Sequence, residues 1–87
     1  MKIVFYPLFQ RSYKRLDRQT QLLADEKIAI FGRDFFDSRI HTHQLHGQLK
    51  NIWSFSIDAK HRVLFILLDD DRRSVALVDI GTHRLYS

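Results

Sequence analysis

The order of patterns along these 87 residues predicts an α+β domain of the form β-α-α-β-β-β. A helical hairpin should cover one face of a mainly antiparallel sheet of about four strands. Apolar residues recur at helical spacing up to Phe31, the repeat shortens to two from Asn51 onward, and Pro7, Gly32 and the run DDDRRS punctuate the changes.

Each element follows in turn. Residues 2–6, KIVFY, are β-prone and closed by Pro7, so they read as a first strand. Pro7 suits the first position of a helix. That helix should run from Leu8 to about Arg18, with Phe9, Tyr13 and Leu16 inward and Arg11, Lys14, Arg15 and Arg18 forming a basic stripe. A second helix should span about Thr20 to Phe31, with Thr20 as cap, Ala24, Ile28 and Phe31 on its apolar side, and Gly32 as its stop. RDFFDSRIHTHQLHG then reads as a loop returning to the sheet. Trp53, Phe55 and Ile57 alternate with polar residues as in a half-buried strand. Residues 58–61 turn, 62–68 are a nearly continuous apolar run that reads as a central strand, DDDRRS is a charged hairpin loop, and 75–80 form another central strand. Residues 1–87 make a single domain, without repeats or a linker.

Composition narrows the classes. A hydrophobic fraction of 45%, with 7 Phe, 3 Tyr and 1 Trp, suffices for one core. There is no cysteine, which excludes a disulfide framework and a thiolate metal site and fits a cytoplasmic location. No apolar run approaches the roughly 20 residues that span a bilayer, and MKIVFYPLF lacks the features of a signal peptide. The net charge of +4 and pI of about 9.8 suggest a polyanionic or acidic partner.

The stretch HTHQLHG, residues 41–47, holds 3 of the 5 histidines. His41, His43 and His46 lack a fourth ligand of the usual kind, so a solvated loop outweighs a metal site. His83, just past a buried strand, can exchange protons near neutrality, or can simply be a surface histidine. Arg62 opens an apolar strand and needs an anion. An acid such as Asp79 or Asp58 and a phosphate are evenly matched for that role. The stripe on the first helix reads by default as a solvated face. Asp69, Asp70 and Asp71 are too compact for a calcium loop and read as a turn.

Taken together, HTHQLHG, WSFSIDAKHRVLF and DIGTHRLY resemble the RelE/ParE superfamily of bacterial type II toxin–antitoxin toxins over essentially the whole chain. The shared parts are the first strand, the helical hairpin, an H-x-L-x-G turn at residues 43–47, an arginine opening the next strand, and a G-T-H-x-x-Y end at residues 81–86. The ribonuclease branch with YafQ-like and YoeB-like proteins is the nearest in pattern. The resemblance implies a ribosome-dependent mRNA endonuclease that works without a metal or other cofactor. It enters the ribosomal A site, where a ribose 2′-OH attacks the adjacent phosphate. By matched position, His43, Arg62, His83 and Tyr86 would be catalytic, and His41, His46, Lys50 and Lys60 would contact RNA. A cognate antitoxin, in a toxin–antitoxin hetero-oligomer, is the implied protein partner. The chain departs from the branch in having Lys60 and His61 where some relatives carry an acid, and in lacking a C-terminal helix found in some members. A ParE-like inhibitor of DNA gyrase, or a relative that mainly binds its antitoxin, are the alternatives on the same scaffold.

Overall fold

A computed structural model describes residues 1–47, 51–82 and 85. It contains β1 (Lys2–Phe5), α1 (Pro7–Arg15), α2 (Arg18–Arg33), β2 (His43–Gln44), β3 (Trp53–Ser56), β4 (His61–Leu67) and β5 (Ser74–Thr82). The strands form one sheet in the order β1-β5-β4-β3-β2. β1 runs parallel to β5, and the remaining pairs are antiparallel. The sheet therefore has five strands rather than about four. The added one, β2, is two residues long and sits within the expected loop.

The helices begin and end for local reasons. Pro7 occupies the first turn of α1, where its missing N–H costs nothing. α2 starts earlier than Thr20. Its cap is Asp17, whose carboxylate accepts from the Thr20 backbone N–H at 2.7 Å. Gly32 lies inside α2 and does not end it: the helix closes one residue later, and Asp34 turns extended. Across the two-residue connection, the Tyr13 hydroxyl donates to Asp25 at 2.7 Å and the Gln21 side chain donates to the Tyr13 carbonyl at 2.9 Å.

The core lies between α2 and the sheet. Phe31 is fully buried and stacks on Phe55 with centroids 4.4 Å apart, while Phe65 meets it edge-on at 4.8 Å. Strand register explains this. Phe55 pairs with Val63 and Val63 with Ile80, which places three buried apolar residues in one cross-strand row. The next row, one residue along, is Ser56, Arg62 and Gly81. Because side chains alternate, that row faces the other way. A bulge near Leu64/Phe65 leaves Val78 unpaired, and beyond it Asp79 accepts from Ser12 of α1 at 2.6 Å.

Candidate nucleic-acid interface

The segment between α2 and β2 is held by its own side chains. Asp34 accepts from the Phe36 N–H at 3.1 Å and Asp37 from the Arg39 N–H at 2.9 Å, so two Asx turns fold residues 34–39. The Thr42 hydroxyl donates to the Phe35 carbonyl at 2.6 Å, and the Ser56 N–H donates to the Ile40 carbonyl at 2.7 Å. These bonds dock the segment along the end of β3. They set its side chains beside a cleft of about 450 Å³ lined by Lys27, Arg39, His41, His43, Ser56 and Arg62, with Ile57, Asp58 and Ala59 at the β3–β4 turn.

His41 takes a left-handed backbone conformation, φ 51°. That is uncommon for a residue with a side chain, although histidine tolerates it better than most. Its carbonyl then lies 3.0 Å from His43 Nδ1. A carbonyl only accepts, so Nδ1 must carry the proton. In neutral His43 the lone pair is therefore left on Nε2. The hydrogen bond thus puts the basic nitrogen at Nε2.

Arg62 is half-buried, and its guanidinium donates to the Ser56 hydroxyl. Neither acid considered for it is available. Asp79 accepts from the Ser12 hydroxyl and from the Ile80 N–H. Asp58 accepts from the backbone N–H groups of Lys60 and His61, at 2.8 and 2.7 Å, and its carboxylate lies 3.0 Å from His61 Nδ1. Burial alone would raise the Asp58 pKa, but these hydrogen bonds outweigh it and hold the carboxyl below its ordinary range. Among the described residues, Arg62 thus has a neutral partner and no ion pair. The even choice between an acid and a phosphate tips toward an anion from outside.

Three permanent cations therefore share the cleft with one committed carboxylate. Arg39 is partly neutralised by a bidentate pair with Asp37, both contacts at 2.9 Å. That pair, led by the Arg39 side-chain hydrogen bonds, lowers the Asp37 pKa to about 2.

Of the residues expected at the site, the structure brings together His41, His43 and Arg62. His46 and Lys60 are exposed and do not line the cleft. His83, Tyr86 and Lys50 lie outside the described residues. Lys27, Arg39 and Ser56 were not anticipated. Ser56 was within reach of sequence reasoning, because a turn at residues 58–61 sets it opposite Arg62. Arg39 carries no local signal, since only tertiary folding delivers it, whereas Lys27 is marked in the sequence by its place between Ala24 and Phe31 on the apolar side of α2. No group of three metal-ligating side chains converges among the described residues.

Small bacterial toxins of known structure share this architecture. The chain superimposes on the YoeB/ParE toxin from Agrobacterium tumefaciens with a TM-score of 0.77 and 21% identity, covering 95% of this chain and 99% of that one. YoeB in the heterotetrameric YoeB-YefM toxin-antitoxin complex from Staphylococcus aureus gives 0.73 and 20%, with 95% and 97% covered. YafQ from E. coli gives 0.70 and 15%, with 99% and 98% covered. At these identities the likeness is one of fold, and the RelE/ParE-like fold expected from the sequence is the fold observed. No family model and no curated protein matches the sequence.

Proposed function

We propose that the chain is the toxin of a toxin–antitoxin pair and acts as a metal-independent, ribosome-dependent mRNA endonuclease. The observation that carries this reading is the pairing within one cleft of Arg62, a cation with no counter-ion among the described residues, and His43, whose Nδ1 hydrogen bond leaves Nε2 as the basic nitrogen. The fold likeness to YoeB and YafQ toxins supports it.

In this mechanism the 2′-oxygen attacks the adjacent phosphorus and the bond to the 5′-oxygen breaks. The products are a 2′,3′-cyclic phosphate and a 5′-hydroxyl. One group removes the 2′-OH proton, and another returns a proton to the departing 5′-oxygen. His43 Nε2 is a fitting acceptor, and His83 is the proposed second proton-transfer group. Arg62 binds two nonbridging oxygens in bidentate fashion and offsets the charge gained in the phosphorane. Ser56, by accepting from one end of the guanidinium, orients the other end. Tyr86 is proposed to stack on a base. His41, His46, Lys50 and Lys60 are proposed to contact the RNA backbone. An antitoxin is the proposed protein partner, as in the YoeB-YefM complex.

The test is cleavage of mRNA on purified ribosomes with an empty A site, for the wild type and His83→Ala, with the toxin freed of bound metal by chelation and dialysis before it is added. Cuts at the A-site codon with cyclic-phosphate ends, lost in the variant, are the expected result. A wild type that makes no cuts where a related toxin does would overturn the nuclease reading. Gyrase supercoiling, measured with the same protein, would then examine the inhibitor alternative.

A further inference from the structure

We infer that Lys27 of α2 is a second phosphate-holding cation of this cleft, gripping the RNA backbone at a phosphodiester next to the one held by Arg62. The inference rests on the RNA-cleaving reading above and extends it to a residue that the sequence did not single out.

The position of Lys27 on its helix is the first argument. α2 buries Ala24 and Phe31 completely. Lys27 lies three residues after the first and four before the second, so it falls on the same apolar stripe. A lysine kept only for solubility belongs on the opposite side, where Asp25, Glu26 and Ala29 are exposed. Lys27 is instead half-buried and lines the cleft beside Ile57 and Arg62.

Lack of compensation is the second argument. Among the described residues Lys27 makes no ion pair and no hydrogen bond. The carboxylates within reach of the cleft have other partners. Asp58 is taken up by its own turn, and Asp37 holds Arg39. Lys27 and Arg62 thus place two like charges in one concavity, an arrangement that weakens folding until an anion arrives. The bound anion must be multivalent or repeated to satisfy both. A nucleic-acid backbone meets that requirement, and a cleft of about 450 Å³ admits a nucleotide-sized group. The neighbouring histidine pair and the hydroxyl of Ser56 suit phosphate oxygens better than the single carboxylates of an acidic peptide.

The experiment measures binding of a short single-stranded 2′-O-methyl RNA, which lacks the nucleophile and stays intact, by fluorescence anisotropy across a salt series. Wild type, Lys27→Gln, Lys27→Arg and Arg39→Gln are compared, with urea midpoints measured in parallel. Loss of one phosphate contact should flatten the plot of log affinity against log salt by about 0.7, and weaken binding about fivefold at about 0.1 M salt. Lys27→Gln should show this with an unchanged or raised urea midpoint. Lys27→Arg should restore the slope, and Arg39→Gln should lose less because Asp37 already shares its charge. A Lys27→Gln protein that keeps the wild-type slope overturns the inference alone. A wild type with no salt-dependent affinity overturns the phosphate-holding role of Lys27, while the nuclease reading stands or falls on the ribosome cleavage assay above. A labelled oligoglutamate peptide is measured in the same way, and loss of affinity for it but not for RNA in Lys27→Gln would reassign Lys27 to a protein partner and overturn the phosphate role.

Discussion

Replacing Arg62 by Met separates two accounts of that residue. If Arg62 were half of a buried ion pair, truncation would strand a carboxylate and cost about 3–5 kcal/mol. Among the described residues it has a neutral partner, the Ser56 hydroxyl, and no acid. Methionine keeps most of the apolar stem and removes one charge-assisted hydrogen bond, worth about 1.5–3 kcal/mol before compensation. The cleft lets water replace it at Ser56, and the loss of repulsion from Lys27 acts the other way. The expected net cost is about 1 kcal/mol, set against a total stability of roughly 4–13 kcal/mol for a chain of this length. Cleavage should fall about 100- to 1,000-fold, as when one preorganised donor to a developing anion is removed. Urea denaturation and single-turnover mRNA cleavage read the two quantities on the same protein. A destabilisation of about 3 kcal/mol or more would refute the absence of an internal counter-ion. A variant that cleaves at the wild-type rate would refute the role of Arg62 in catalysis.

Phe31→Ala should cost about 3–5 kcal/mol, because the ring is fully buried and stacked on Phe55. Loss of the cooperative urea transition at room temperature would agree, and a cost below about 2 kcal/mol would contradict the packing described. Asp58 has its folded pKa held below the ordinary carboxylate value, so its contribution is complete above that value and fades as pH falls through the depressed one. Asp58→Asn should therefore be less stable than the wild type at neutral pH, with the gap closing as pH falls below the ordinary carboxylate range; a gap that widens in acid would reverse the sign assigned here. Arg72 has φ 59° and lies over the rings of Phe35, Phe36 and Trp53 at 5.2–5.5 Å. Arg72→Ala should lose about 0.5–1 kcal/mol of cation–π attraction, and Arg72→Gly less, since glycine relieves the left-handed backbone. Thermal midpoints that place the Gly variant below the Ala variant would rule out backbone strain there.

The periodic parts of the fold were legible and the non-local parts were not. Both helices and the strands around residues 53–57, 62–68 and 75–80 follow from apolar spacing, because those side chains pack on one face. β2 was hidden because two residues establish no period; its pairing with β3 at Ser54 and Trp53 creates it. The sequence points to Thr20 as the cap of α2 although Asp17 serves, since both residue types cap helices and only the backbone decides between them. At the site, the cluster of histidines and Arg62 were visible as residues, yet only resemblance to a family gathered them. The structure supplies the reasons: a left-handed His41, a hydrogen bond that fixes the His43 tautomer, and acids drawn away from Arg62.

Core and cleft are coupled through strand register. The buried row Phe55–Val63–Ile80 and the polar row Ser56–Arg62–Gly81 are adjacent in the same three strands. A slip of one residue in β4 would bury Arg62 against Phe31 and turn Val63 toward the cleft, so the aromatic core that stabilises the domain also aims the cation. Gly81 shows how tightly that row is filled. A Cβ there would lie 3.0 Å from Leu85 Cδ2, so any larger residue must displace a side chain packed beside the strand that carries Arg62's partner position. Gly81→Ala is then expected to shift Leu85 first, with little effect on the Phe55–Val63–Ile80 row on the opposite face. Near-wild-type stability combined with reduced cleavage is the result that this coupling predicts. An equal loss of both would place Gly81 in the core's own packing instead.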